Sequence, residues 1–189
     1  QQAGFPAERI HLHGNNKTHG ELVMAMESGV GRIVVGNAQE LAMLSSLAAN
    51  HDRALKIWLR IAPSITADTH RFRQTGLTDS KFGFPVADGQ AEQAVVDALS
   101  CPNLDPVGLH AHIGSQIFGT DPFMANADVL VELLARWRDE SGIVLPELGL
   151  DDLPVYAGQD GNPTTHGQEY FDQWYRDTEG VNLPMTFAI

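Results

Sequence analysis

Residues 108–118, GLHAHIGSQIF, place two histidines two positions apart on an apolar run that breaks at once into Gly-Ser-Gln. Successive strand side chains point to opposite faces, so His110 and His112 share a face. His11 and His13 do the same in the earlier run RIHLH. Two such pairs on barrel strands would suit a metal-dependent hydrolase, with imidazoles converging on zinc and a nearby carboxylate activating water. They would equally suit imidazoles that simply hydrogen-bond within a core or at its rim. The residues after His112 favour another chemistry. Gly114 and Ser115 just beyond a strand offer backbone N–H groups and a hydroxyl, a combination suited to a phosphate. A flat aromatic cofactor could then lie against the adjacent imidazole.

Positioning such residues requires strand ends, and the chain supplies them by alternation. Residues 9–13, 32–35, 55–61, 106–112 and 147–150 read as strands; residues 21–28, 38–50, 90–100 and 125–140 read as helices. Leu41, Leu44 and Leu47 recur on one helical face, and Gly29 stops the first helix. Alternating βα units predict an α/β protein with a parallel sheet. No GxGxxG follows a strand, which weakens an open dinucleotide-binding sheet. Polar residues gather after strand ends, at 14–17, at Arg60 and at 114–116, as the C-terminal face of a (β/α)8 barrel requires. Five strands predict part of a TIM-type barrel over residues 1–150, followed by an unrecognised segment, 151–189.

A net charge of −12, with only twelve Lys and Arg scattered along 189 residues, argues against a nucleic-acid-tracking surface. The single cysteine, Cys101, excludes an intramolecular disulfide framework and is expected to be inert. No run of roughly 18 to 20 apolar residues suggests a bilayer span, so a cytoplasmic protein without a membrane partner is the expectation. The chain opens QQAGFPAERI, without Met, and an N-terminal portion is expected to be missing.

Five segments in order, HGNNKTHGEL (13–22), GVGRIVVGNAQEL (29–41), WLRIAP (58–63), THRFRQTGLTDSKFGF (69–84) and GLHAHIGSQIF (108–118), carry a family likeness. Together they resemble the pyridoxal-phosphate-dependent decarboxylases with an alanine-racemase-like barrel. The resemblance runs from about Phe5 to Leu150 and is nearest to the branch acting on diaminopimelate, with the ornithine and arginine branches more distant. It implies decarboxylation of meso-diaminopimelate to L-lysine and CO2, pyridoxal 5'-phosphate as cofactor, an amino-acid substrate and a homodimer.

Residue by residue, the resemblance implies that His112 stacks on the pyridine ring, Ser115 bonds the cofactor phosphate, and Arg60 lies close to the cofactor. His13, Asn15 and Lys17 fall on a loop lining the site, and Lys81 near a place where the family builds sites between subunits. Since the match singles out only His112, the resemblance implies a structural His110. From residue type alone, Asn15 and Asn16 would cap the helix beginning near Thr18, and Lys17 and Lys81 would be solvated.

The chain also departs from the family. The lysine that forms the resting Schiff base belongs in a sequence like YAxKAN, whereas the only lysines here are Lys17, Lys56 and Lys81, none in that context. The glycine-rich turn expected after LPELGL is replaced by Asp151-Asp152, whose carboxylates would repel a phosphate. Tyr170, Phe171, Trp174 and Tyr175 have helical spacing suited to packing. The expectation is thus an inactive, truncated part of such a decarboxylase. A non-catalytic homologue that binds a partner, and the metal hydrolase, are the alternatives.

Overall fold

The computed structural model describes residues 6–51, 53–63, 82–114 and 121–150. A single 3-10 turn at Ala7–Arg9 leads into β1 (His11–Leu12), α1 (His19–Ser28), β2 (Arg32–Val35), α2 (Ala38–His51) and β3 (Leu55–Ala62). A two-residue β4 (Phe84–Pro85), α3 (Gln90–Ser100), β5 (Leu104–Ala111), α4 (Asp121–Ser141) and β6 (Glu147–Leu150) follow.

Local chemistry sets the helix ends. Thr18 caps α1 through a reciprocal box in which its hydroxyl accepts from the Glu21 N–H and the Glu21 carboxylate accepts from the Thr18 N–H. Gly29, at φ 71°, closes the same helix in the left-handed conformation. The cap is therefore Thr18, not Asn15 or Asn16.

The strands pair in the order β1-β2-β3-β5-β6, every pair parallel, with β4 beside the C-terminal end of β3. That order advances without reversing, as in a singly wound sheet. One face carries Ile33, Val35, Ile57, Leu59, Leu109 and Leu148, packed in one core with residues from all four helices. Leu44 and Ala48 of α2 and Leu130 of α4 are fully buried there; burying a leucine contributes about 1.5–3 kcal/mol. The opposite face carries Val34, Trp58, Arg60, His110 and Glu147, with Val34, Trp58 and Val107 in a small separate cluster. A doubly wound sheet would carry helices on both faces. This one is part of a (β/α)8 barrel, seen from an interior lined with rings and charges.

Among the differences from the sequence expectation, two concern β5 and β4. β5 begins at Leu104, two residues early, and its register with β3 slips where Ile57 faces Pro106 and Trp58 faces Gly108; the proline, which has no N–H to give the ladder, sits at the irregularity. β4 is a sixth strand, formed where Ile61 and Ala62 pair with Phe84 and Pro85.

Candidate functional site

The inner face is built in layers. At its N-terminal end, Arg32 of β2 reaches past β3 and β5 to Glu147 of β6. Its Nε donates to Oε2 at 2.7 Å and its Nη2 to Oε1. Trp58 Nε1 donates to the same Oε2 at 2.7 Å. Burial pushes the Glu147 carboxyl up, but the hydrogen bonds from Arg32 and Trp58 and the positive charge of Arg32 outweigh it and hold the group below the usual carboxylate range. The bond to Glu147 likewise raises Arg32. Gly149 makes room for this layer, since a Cβ there would meet the Trp58 ring at 2.5 Å.

Above lies a column of rings. The Trp58 indole meets His11 edge-on at 4.4 Å and stacks on His110 at 6.4 Å, and His110 touches His13 at 4.6 Å between centroids. His110 is 1% exposed, while His13 is exposed and His112, one residue beyond β5, is half-buried. His11, His13 and His110 face the interior together, and His112 follows His110 by two positions, just past the end of β5. Among the described residues, however, no three His, Cys, Asp or Glu groups gather as metal donors, and His11 is set against an indole.

Towards the C-terminal mouth, Arg60 is 4% exposed. Its Nη1 donates to Asn15 Oδ1 at 2.6 Å, and its guanidinium lies 5.3 Å from the centroid of the Phe82 ring. In the ladder Arg60 stands opposite His110, so His112 follows two positions further towards the mouth. Asn15 is thus a partner of Arg60.

Lys17 corrects a second expectation, because it is buried. Its ammonium donates to the carbonyls of Gly14 and Val34, each at 2.7 Å, and pairs with Glu40 Oε1 at 2.7 Å. Glu40 Oε2 accepts from the Gly36 N–H at 2.8 Å, and the Glu40 N–H donates to Asn37 Oδ1. Sequence reading missed this pair. One signal was present: Glu40, Leu44 and Leu47 lie four and seven apart, which puts a carboxylate in the apolar stripe of α2.

The structure therefore brings His13 and Arg60 to the inner face at one end of the sheet, with His112 just past the end of β5 at that same end. Ser115, Gln116, Lys81, Asp151, Asp152 and the cluster Tyr170, Phe171, Trp174 and Tyr175 lie outside the described residues. A fixed buried cation at the same end of the sheet as a half-buried imidazole fits a flat, anionic cofactor held non-covalently. Neither described lysine fits a covalent anchor: all three Lys17 donors are engaged, and Lys56 lies exposed near the opposite end of β3, facing Asp105.

Residues 1–151 match the family model described as pyridoxal-dependent decarboxylase, pyridoxal binding domain. The diaminopimelate decarboxylase of Bacillus subtilis is 43% identical over a stretch covering 82% of this chain and 38% of that protein. That of Bacillus methanolicus is 46% identical over 72% of this chain and 32% of its own length. The chain thus spans about a third of the curated relatives it matches. A crystal structure of diaminopimelate decarboxylase from M. jannaschii in complex with L-lysine superposes with a TM-score of 0.76 at 27% identity, covering 97% of this chain and 44% of that one.

Proposed function

We propose, because this chain belongs to the pyridoxal-dependent decarboxylases, its residues 1–151 matching their pyridoxal binding domain, that the protein carrying it decarboxylates meso-diaminopimelate to L-lysine and CO2. Pyridoxal phosphate is its cofactor. The observation that carries this reading is Arg60, a buried guanidinium held by Asn15 at the same end of the sheet as His112. The relatives named diaminopimelate decarboxylase support the choice of substrate.

When bound, the cofactor supplies an electron sink for the pair left behind as CO2 departs. His112 would present an imidazole face to its ring and shield one side from water. Ser115 would offer a hydroxyl to its phosphate. Arg60, which keeps its proton at any working pH, supplies a fixed positive charge. His13, on the exposed rim, borders the same mouth. The substrate is a small amino acid, the working assembly a homodimer and the compartment the cytoplasm; among the described residues no helix is long and apolar enough to cross a membrane.

The test is incubation of the protein with pyridoxal phosphate and meso-diaminopimelate, following CO2 and lysine, with ornithine and arginine in parallel. Lysine formed from diaminopimelate alone supports the assignment; turnover of another basic amino acid instead overturns it. A non-catalytic homologue is the second reading, favoured by the engagement of Lys17 and the remote placement of Lys56. Cofactor binding without turnover of any of the three would establish it.

A further inference from the structure

The Lys17 and Glu40 pair is buried, at 6% and 4% exposure. Removing both charges from water carries a large desolvation cost, and apolar residues of similar size often replace such pairs without loss of stability. Its value here lies in what it holds. Through one ammonium, the turn after β1 (Gly14), the last part of β2 (Val34) and the first turn of α2 (Glu40) are tied together, with Gly36 fastened to the other carboxylate oxygen. The bond from Lys17 to Gly14 closes the turn that contains Asn15, and Asn15 bonds Arg60.

We propose that Lys17 and Glu40 are positioning residues: their buried pair sets the turn from which Asn15 orients the Arg60 guanidinium towards an anionic cofactor. The inference rests on the reading of Arg60 as a cofactor-adjacent group. It goes beyond that reading in assigning the orientation of Arg60 to two residues that do not touch it.

The experiment uses the protein that carries this chain, with K17M/E40L, which removes both charges together, N15A, and the triple variant. Pyridoxal phosphate affinity is titrated by absorbance, thermal unfolding is followed alongside, and the Arg60 side-chain N–H signals are read by NMR without cofactor. K17M/E40L should unfold cooperatively near the parent temperature, bind the cofactor roughly tenfold more weakly, and show shifted Arg60 signals. N15A should show the same loss of affinity, and the triple variant should lose little more, because both changes act on one contact. Unchanged affinity in folded variants, or losses that multiply, would overturn the proposal. If K17M/E40L does not fold, N15A decides: full affinity with an unmoved Arg60 signal overturns it. A parent protein that binds no pyridoxal phosphate instead sinks the functional reading, and the Arg60 signals then judge the positioning alone.

Discussion

Arg32 and Glu147 stand 115 residues apart in the chain and meet as a bidentate pair on the inner face of the sheet. They sit on β2 and β6, strands that are not neighbours, so the pair ties the two sides of the sheet across its concave floor. The Trp58 N–H completes the coordination of the carboxylate. Removing one partner would leave a buried charge uncompensated, which is far costlier than replacing both.

The pair makes acid stability a readable quantity. The folded Glu147 carboxyl lies below its ordinary value of 4.5, so its ionised form favours the native state. That contribution is fully present above about pH 4.5 and is lost as pH falls through the depressed folded value. Melting temperature against pH should therefore drop more steeply in the parent than in Glu147→Gln below pH 4.5. Parallel curves would remove Glu147 as the cause.

Gly149→Ala sets a Cβ against the Trp58 ring. The indole must shift and its bond to Glu147 lengthen, at a cost of roughly 1–3 kcal/mol for overpacking. Denaturant unfolding should register the loss, and the near-ultraviolet circular dichroism of the aromatic column should change with it. A silent variant would mean that β6 yields instead.

The two histidines of GLHAHIGSQ should separate by phenotype. His110→Ala removes a buried ring from between Trp58 and His13 and should cost roughly 1–3 kcal/mol of stability, with cofactor affinity largely kept. His112→Ala should leave the melting temperature within about a degree and weaken pyridoxal phosphate binding. Titration and calorimetry on the same preparations check both; reversed phenotypes would exchange their roles.

Arg60→Lys keeps the charge but not the planar fork that serves Asn15 and lies over Phe82. Cofactor binding should weaken roughly tenfold, as expected for a lost charge-assisted contact. Equal affinity for the lysine variant would show that charge alone suffices at this position.

Local periodicity made most of the fold legible. β2, α3 and β6 have the bounds that the residue pattern predicts, because each pairs a clear period with an obvious stop. Phe84–Pro85 carries no period and exists only as a partner for the end of β3. Asp121–Met124 extends α4 beyond its expected start because Phe123, not reached by the predicted helix, joins the buried side. For the site, the inward face of His110 followed from strand geometry. The burial of Lys17 did not, since its partners Val34 and Glu40 are distant in sequence and Lys in a Gly-Asn-Asn turn reads as solvated. The match of Arg32 to Glu147 was hidden for the same reason.

Alternation along β3 and β5 has a last consequence, for the tolerance of these strands to length changes. Trp58, Arg60 and His110 project to one side, Ile57, Leu59 and Leu109 to the other. Losing a single codon within either strand would invert every following side chain, driving imidazole and guanidinium under the helices and turning aliphatics towards the mouth. Substitutions here can be graded, but insertions and deletions should be all or nothing.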